Sequence, residues 1–134
     1  MNPLLIALVF IEAINAGDAE RLSELTTDDH LFIDSDGSEV RGREKMQNGW
    51  KAYFSMVPDY RIDVEDTFVR ENQVVVLGKA SGTFVEKGKL EPYNSWQVPA
   101  AWRITIEENK VLLFQVYVNP GPMIQILERL GRIP

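Results

Sequence analysis

The carboxylate of Asp34 is the strongest candidate for chemistry in this sequence. It ends a short apolar segment and is followed by the turn-forming residues Ser35-Asp36-Gly37 and by a helical pattern that begins near Arg43. A carboxylate at a strand-to-helix junction is a usable general base when apolar surroundings enclose it. The alternative is a turn aspartate whose side chain hydrogen-bonds the backbone near Gly37. The residues alone leave both interpretations open.

Two other polar patterns lie close to Asp34. His30 falls on the same strand face, but the strand rise separates the two side chains by about 13 Å, too far for a hydrogen bond. We interpret His30 as a histidine at the start of a strand, close to solvent. The segment from Asp34 to Gly37 partly matches the start of a calcium loop, yet Lys45 stands where that loop needs a glutamate. No metal site is predicted.

Aromatic residues recur at spacings that place them on common faces. In a helix expected over residues 43–57, one stripe contains Met46, Trp50, Tyr53, Phe54 and Val57. Such rings either line a pocket for an apolar molecule or form the packing core, which in a curved sheet are nearly the same surface. On the last strand, alternation separates Tyr117 and Asn119 from Val116 and Val118, and the sequence does not decide which set faces inward.

Composition excludes several classes of function. The 134 residues carry a formal net charge of -6 with scattered basic residues, which argues against nucleic acid or an anionic membrane as partner. There is no cysteine and only one histidine, so neither a disulfide framework nor a zinc or copper site is expected. The apolar run of residues 4–11 is too short to span a bilayer and lacks signal-peptide features, so a cytoplasmic location is expected. The sequence contains no glycine-rich phosphate loop, metal cluster or nucleophile motif, so no cofactor is expected.

Hydrophobic periodicity predicts the order of the elements that position these residues. Expected are helices over residues 4–15, 18–26, 43–57 and 123–130, and strands over residues 30–35, 62–68, 74–85, 96–107 and 111–119. Gly17 fits the end of the first helix, and Asp18 fits the start of the second. Gly78, Gly82 and Pro99 indicate bends, or an edge, in a curved antiparallel sheet. The pattern is that of an α+β fold with helices on one face of the sheet.

This order, together with residues 13–18, residues 34–42 and the aromatic helix, resembles the nuclear transport factor 2-like superfamily. That superfamily includes ketosteroid isomerases and SnoaL-like polyketide cyclases. The resemblance implies a cone-shaped curved sheet whose concave face is covered by three N-terminal helices. It also implies an apolar pocket inside the cone and a homodimer formed through the sheet.

The resemblance carries over to individual residues only in part. Asp34 matches the isomerase base, whereas Phe10 stands at the position of the oxyanion-hole tyrosine and Ala100 or Ala101 at that of the aspartate. Losing one such donor typically costs about a hundredfold or more in rate, which argues against ketosteroid isomerase chemistry. The late acid of the cyclases corresponds to Asn119, which can orient a carbonyl but cannot take a proton.

The sequence therefore predicts a single domain over residues 1–134 that binds a small, largely apolar molecule. If it is catalytic, we expect a cofactor-free proton transfer, of the isomerase, cyclase or dehydratase type, with Asp34 as base. The expected ligand contacts are Phe10, Trp50, Phe54, Val98, Trp102, Tyr117 and Asn119. Two alternatives remain: a ligand-binding module without catalysis, and a dimeric protein-interaction scaffold, which an exposed apolar sheet face would favour.

Overall fold

A computed structural model describes residues 2–134 of the chain. The helices are α1 (Pro3–Asn15), α2 (Ala19–Glu24), α3 (Arg43–Met56) and α4 (Gly121–Arg129), and a 3₁₀ turn covers Pro92–Asn94. The strands are β1 (Thr26–Ile33), β2 (Glu39–Arg41), β3 (Arg61–Arg70), β4 (Gln73–Thr83), β5 (Ser95–Glu107) and β6 (Lys110–Val118). They form one six-stranded sheet in the order β2-β1-β6-β5-β4-β3, which confirms the predicted α+β fold.

Local signals in the sequence define the first two helices. The side chain of Asn2 accepts a hydrogen bond from the Leu4 amide at 2.8 Å and so caps the start of α1. Gly17 follows α1 with φ of 66°, a left-handed conformation that glycine adopts without strain. The Asp18 side chain then accepts from the Arg21 amide at 3.0 Å and caps α2. The predictions made for Gly17 and Asp18 are confirmed.

Strands β3 to β6 form an antiparallel meander, whereas β1 joins the sheet differently. It pairs parallel with β6, with Leu31 beside Leu113, and antiparallel with the short strand β2, with Leu31 opposite Arg41. The sequence predicted neither the parallel pair nor β2. A strand as short as Glu39–Arg41 has too few residues to show alternation, and the parallel pair joins segments that are distant in the chain.

Pro99 lies inside β5, which is a central strand of the sheet. The pairing of β5 with β6 begins only at Ala100, opposite Val118, while Pro99 is opposite Lys79 of β4. At Pro99 the strand therefore has a neighbour on one side only, which is the edge-like position that proline requires.

Strand β3 departs from regular alternation. Ile62 is buried, but Val64 and Phe68, which regular alternation would place on the same face, are 40% and 54% exposed. A bulge between Val64 and Asp66 shifts the register, so that Phe68 pairs with Val75 on the outer face of the sheet. Phe68 leaves the face of Ile62 because one extra residue reverses the facing of every later side chain.

Gly78 leaves no room for a side chain against β3, because a Cβ added there would lie 1.9 Å from the Asp63 carbonyl oxygen. We expect Gly78→Ala to lower the free energy of unfolding by about 3 kcal/mol, since backbone cannot move aside as a side chain does. Gly49, inside α3, is the matched control, because an added Cβ meets nothing within 4 Å. Gly49→Ala should raise stability by about 0.5–1 kcal/mol. Urea unfolding measures both, and equal changes would contradict the prediction.

The hydrophobic core lies between the concave face of the sheet and helices α1 to α3. Its largest fully buried side chains include Phe10 and Ile14 of α1, Met46 of α3, Trp102 of β5 and Phe114 of β6. Helix α1 crosses the sheet in contact with β3, β4, β5 and β6. The three N-terminal helices therefore cover the concave face as predicted.

Within residues 2–134, no helix combines the length and the apolar character needed to cross a membrane. The cytoplasmic location and the single domain over residues 1–134 stay predictions.

Candidate functional site

A cavity of about 360 Å³ lies between α3, α4 and the concave face of the sheet. Pockets for small molecules commonly measure about 300–1,000 Å³, so the cavity has the size of a small-ligand site. Its walls are formed largely by the rings of Phe32, Trp50, Tyr53, Tyr60, Phe84, Trp96, Trp102 and Phe114. Most of its surface is therefore apolar, which suits a ring-containing or hydrocarbon-rich ligand.

Trp50 of α3 is the centre of this aromatic wall. Its ring stacks on Phe54 at 5.3 Å between centroids and meets Tyr53 edge-on at 6.1 Å. It also lies 6.2 Å from Tyr60 and 6.3 Å from Phe114 of the sheet. These contacts connect α3 to β6 and to the segment before β3, so Trp50 fixes the shape of the cavity as well as lining it.

Asp34 lines the cavity at the end of β1, where the chain turns toward β2. Its carbonyl oxygen accepts from the Gly37 amide at 2.9 Å, and its Oδ1 accepts from the Ser35 amide at 2.7 Å. Among the described residues, Oδ2 has no hydrogen-bond partner, and Asp34 is the one charged residue of the cavity lining. Asp34 is exposed, and the turn orients its carboxylate while one oxygen remains free. Its role as a base stays a prediction.

Two tyrosines lie within electrostatic reach of this carboxylate. Burial raises the pKa of Tyr53, and the negative charge of Asp34 raises it further. Burial likewise raises the pKa of Tyr60, with smaller contributions from Tyr53 and Asp34. The two rings meet edge-on with centroids 5.1 Å apart. Both phenols therefore remain protonated at neutral pH. Tyr60 was not among the residues predicted from sequence, since its only signal is its place beyond the proline that ends α3.

Helix α4 closes one side of the cavity and is held there by polar contacts. The Arg129 side chain donates to the Tyr93 carbonyl at 2.8 Å and to the Asn94 side chain at 2.9 Å, and its guanidinium lies 5.2 Å from the Tyr93 ring centroid. Glu86 accepts from Asn94 and from the Tyr93 hydroxyl, and these bonds lower the pKa of its carboxyl. The α4 residues that line the cavity are Met123, Ile124 and Leu127.

The SnoaL-like domain family matches residues 8–114, which span β1, the Asp34 turn, α3 and most of the sheet. This chain belongs to the SnoaL-like domain family.

Solved structures share the fold of this SnoaL-like domain. A protein described as a SnoaL-like polyketide cyclase from Shewanella denitrificans OS-217 has 17% identity and a TM-score of 0.81, covering 95% of this chain and 97% of that one. A protein of ketosteroid isomerase-like fold from Catenulispora acidiphila DSM 44928, in complex with trimethylamine, has 20% identity and a TM-score of 0.75. The match covers 90% of this chain and 89% of that one. An LEH-like epoxide hydrolase of M. tuberculosis has 12% identity and a TM-score of 0.77. The match covers 95% of this chain and 90% of that one. No curated protein matches the chain.

Of the predicted base Asp34 and the seven expected ligand contacts, three residues line the cavity: Asp34, Trp50 and Trp102. Phe54 lies behind the lining and stacks on Trp50. Phe10 is fully buried, 5.2 Å from the Phe114 ring, so it supports the cavity floor from below. Val98 is buried on the concave side of β5 and is not part of the lining.

The other two expected ligand contacts, Tyr117 on β6 and Asn119 just after it, do not line the cavity. Val116 and Val118 line it, so alternation places Tyr117 on the outer face, where it is 51% exposed. The Asn119 side chain accepts from the Gly121 amide at 2.9 Å and so shapes the start of α4. Neither residue contacts the cavity in this arrangement, and their assignment as ligand contacts is not supported by the geometry.

His30 is fully buried, which corrects the expectation that it lies close to solvent. Strand β1 begins at Thr26 rather than at His30, so the histidine lies in mid-strand, with its ring 6.2 Å from Phe10 of α1. Its Nδ1 lies 2.9 Å from the Val111 carbonyl oxygen, which makes Nδ1 the protonated donor. Its Nε2 is buried without a partner in the described part of the chain.

Burial lowers the pKa of His30 below 6.5, opposed in part by the Val111 hydrogen bond and by the charge of Asp29. Below pH 6.5 His30 binds a proton in the unfolded chain, whereas in the folded protein it stays neutral until the pH reaches its lower folded-state pKa. We therefore expect the free energy of unfolding to fall by up to about 1.4 kcal/mol per pH unit as the pH drops from 6.5 toward the folded-state pKa. Urea unfolding across this range measures the slope. His30→Asn keeps a donor for Val111 without titrating, and an unchanged slope in this variant would contradict the prediction.

Proposed function

We propose that this SnoaL-like domain binds a small, largely apolar molecule in the cavity and that Asp34 is the base of a proton-transfer reaction on it. The observation that carries the proposal is an exposed carboxylate with one free oxygen that lines a cavity walled by aromatic and aliphatic side chains. A ligand that fills such a cavity displaces water from the carboxylate. A carboxylate with less water around it is a stronger base than one in solution.

The residues of the cavity, rather than the fold, support this choice of reaction. The structural neighbours include proteins named for cyclase and epoxide hydrolase activities, so one fold accommodates different reactions. In this chain the chemistry depends on Asp34, which can take a proton from a ligand carbon and return it to another position. Isomerisation, cyclisation and dehydration all use such a step.

Ligand binding is directly measurable, because all three tryptophans of the chain, Trp50, Trp96 and Trp102, line the cavity. We expect tetralin, a neutral bicyclic hydrocarbon, to change the intrinsic fluorescence saturably. Val118→Phe adds a ring to the cavity wall and should weaken binding about tenfold or more, a loss of about 1.4 kcal/mol. Tyr117→Phe, its neighbour on the outer face, should leave binding unchanged. Equal affinities in both variants, or no saturable change in the native protein, would contradict the proposal.

A ligand-binding module without catalysis is the second candidate, and two positions favour it. Phe10 is fully buried and has no group that donates a hydrogen bond. Ala100 is paired with Val118, faces the concave side and has no side-chain hydrogen-bond donor either. Hydrogen exchange on a bound ketone, described in the Discussion, distinguishes the two candidates.

We also propose that two copies pair through the outer face of the sheet. Leu77, Ala101 and Tyr117 are side by side on β4, β5 and β6, and Leu77 and Tyr117 are 40% and 51% exposed. An exposed apolar patch of this kind is typical of an interface. Light scattering on the native protein should give twice the chain mass of 15.3 kDa. Leu77→Glu should give the monomer mass with tetralin binding retained, and a monomeric native protein would contradict this proposal.

A further inference from the structure

The charge along the cavity has one sign only. Asp34 is the charged residue of the lining, whereas none of the chain's 14 lysines and arginines, nor its histidine, is among the described residues that line the cavity. The chain as a whole carries a formal net charge of -6. The electrostatic potential of the cavity is therefore negative, and it favours a cation over a neutral molecule or an anion of the same shape.

Four rings of the lining form an aromatic cage, which consists of Trp50, Tyr53, Tyr60 and Trp96. The planes of Trp50 and Tyr53 meet at 85°, and those of Tyr53 and Tyr60 at 82°. Tyr60 in turn lies 6.0 Å from Trp96 between ring centroids. Rings at such angles form walls of different orientation instead of a flat stack. The faces of tryptophan and tyrosine rings attract cations, and aromatic cages bind quaternary ammonium groups.

The indole N–H groups of Trp96 and Trp102 do not oppose a cation, although an N–H is part of the positive edge of the ring. Both residues line the cavity, but their Nε1 atoms are buried, without a hydrogen-bond partner in the part of the chain that the structure describes. The part of each indole that a ligand meets is therefore the carbon framework of the ring. That framework attracts an ammonium group through its π electrons.

Asp34 lies at the same end of the cavity as the aromatic cage. It follows Phe32 by two residues on the cavity side of the chain, a separation of about 7 Å by strand rise. The Phe32 ring meets Trp50 edge-on at 6.2 Å between centroids. The carboxylate uses Oδ1 for the Ser35 amide, so Oδ2 is the oxygen that a ligand can approach. One end of the cavity thus combines a negative charge with aromatic walls.

We propose that the aromatic cage and Asp34 bind the ammonium group of an organic cation, and that the cavity takes quaternary ammonium compounds with an apolar body. This inference rests on the proposed function and names the ligand class of that site. A quaternary ammonium group has no N–H, so it interacts with Oδ2 through its charge and does not occupy the oxygen with a hydrogen bond. Binding of this kind is therefore compatible with the proposed role of Asp34 as base.

The test compares two molecules of nearly equal shape, phenyltrimethylammonium and tert-butylbenzene, of which only the first is charged. Titrations followed by tryptophan fluorescence measure both affinities, and the readout is the ratio of the two. We expect the native protein to bind the cation about tenfold more tightly than the hydrocarbon, which is within the range of cation–π contacts. A change in packing alone affects both molecules and leaves the ratio unchanged.

Two cavity variants should lower this ratio, and each has a matched control. Tyr60→Leu removes one ring of the aromatic cage but keeps an apolar side chain, and we expect the ratio to fall about three- to tenfold. Tyr117→Leu makes the same change on the outer face of the sheet, where it should have no effect. Asp34→Asn should lower the ratio about two- to fivefold, the range for an exposed ion pair. Asp36→Asn removes the same charge from the same turn outside the lining and should leave the ratio unchanged.

The other outcomes separate failure of this inference from failure of the proposed function, once urea unfolding has shown that each variant is folded. If the native protein binds the cation no more tightly than the hydrocarbon, the inference is overturned while the ligand site stands. If Tyr60→Leu leaves the ratio unchanged, or if Asp36→Asn lowers it as much as Asp34→Asn, the attraction comes from net charge alone and the inference is again overturned. If neither molecule binds, the proposed function is overturned and this inference with it.

Discussion

The Asp34→Asn protein is expected to lose about a hundredfold or more of the rate at which the native protein exchanges the α-hydrogens of 2-tetralone for deuterium. Asparagine has nearly the same shape and keeps an oxygen for the Ser35 amide, which donates to Asp34 at 2.7 Å. Its amide cannot take a proton from carbon. The cavity and the turn should therefore persist while the base is lost. Loss of the ketone α-proton signals in heavy water, followed by NMR, measures the rate.

The control for this variant is Asp36→Asn, two residues along the same turn. Like Asp34, Asp36 is exposed; it accepts from the Ser38 amide at 2.9 Å and, unlike Asp34, is not part of the cavity lining. Its removal changes the net charge by the same amount without touching the cavity, so exchange should continue at the native rate. Exchange that survives in Asp34→Asn, or that falls equally in both variants, would show that Asp34 is not the base. No exchange above the protein-free rate with any variant would favour the binding module.

Trp50→Ala is expected to lower the free energy of unfolding by about 3–5 kcal/mol, as large aromatic truncations in a core commonly do. The indole is the shared neighbour of rings from β1, α3, the segment before β3 and β6, namely Phe32, Tyr53, Phe54, Tyr60 and Phe114. Its loss enlarges an existing cavity rather than leaving a space that neighbours can fill. Urea unfolding followed by circular dichroism measures the change.

Two further variants show whether the loss of unfolding free energy depends on the position of the ring or only on the size of the side chain removed. Trp50→Phe keeps a ring against Phe54 and should cost less than the alanine variant. Phe68→Ala removes an aromatic ring from the edge strand, where the side chain is 54% exposed, and should change stability by less than about 1 kcal/mol. If Trp50→Ala cost no more than Phe68→Ala, the central role of Trp50 would be disproved.

The features that could be predicted from sequence are those encoded by neighbouring residues. The cap at Asp18, the glycine that ends α1, and the stripe from Met46 through Trp50 to Val57 all depend on contacts within a few residues. The position of Asp34 beside the cavity was predictable for the same reason, because alternation along β1 places Phe32 and Asp34 on one face.

The features that could not be predicted depend on pairing between distant segments. Which residues of β6 face the cavity is decided by the register of Ala100 opposite Val118, and this register turns Tyr117 outward. The bulge after Val64 reverses the facing of Phe68, and no local pattern marks it. The burial of His30 depends on distant segments, since its ring lies 6.2 Å from Phe10 of α1 and its Nδ1 lies 2.9 Å from the Val111 carbonyl oxygen of β6. Tyr60 joins the cavity only because the folded chain brings it against Tyr53 and Trp50.

The most direct test of the central claim is to locate a bound ketone by NMR. Nuclear Overhauser contacts between 2-tetralone and the isotope-labelled protein report which side chains surround the ligand. We expect contacts to Trp50, Phe114 and Val116, with the ligand α-protons close to the β-protons of Asp34, because these residues line one cavity. Contacts confined to Leu77 and Tyr117 would place the ligand on the outer sheet face and contradict the claim.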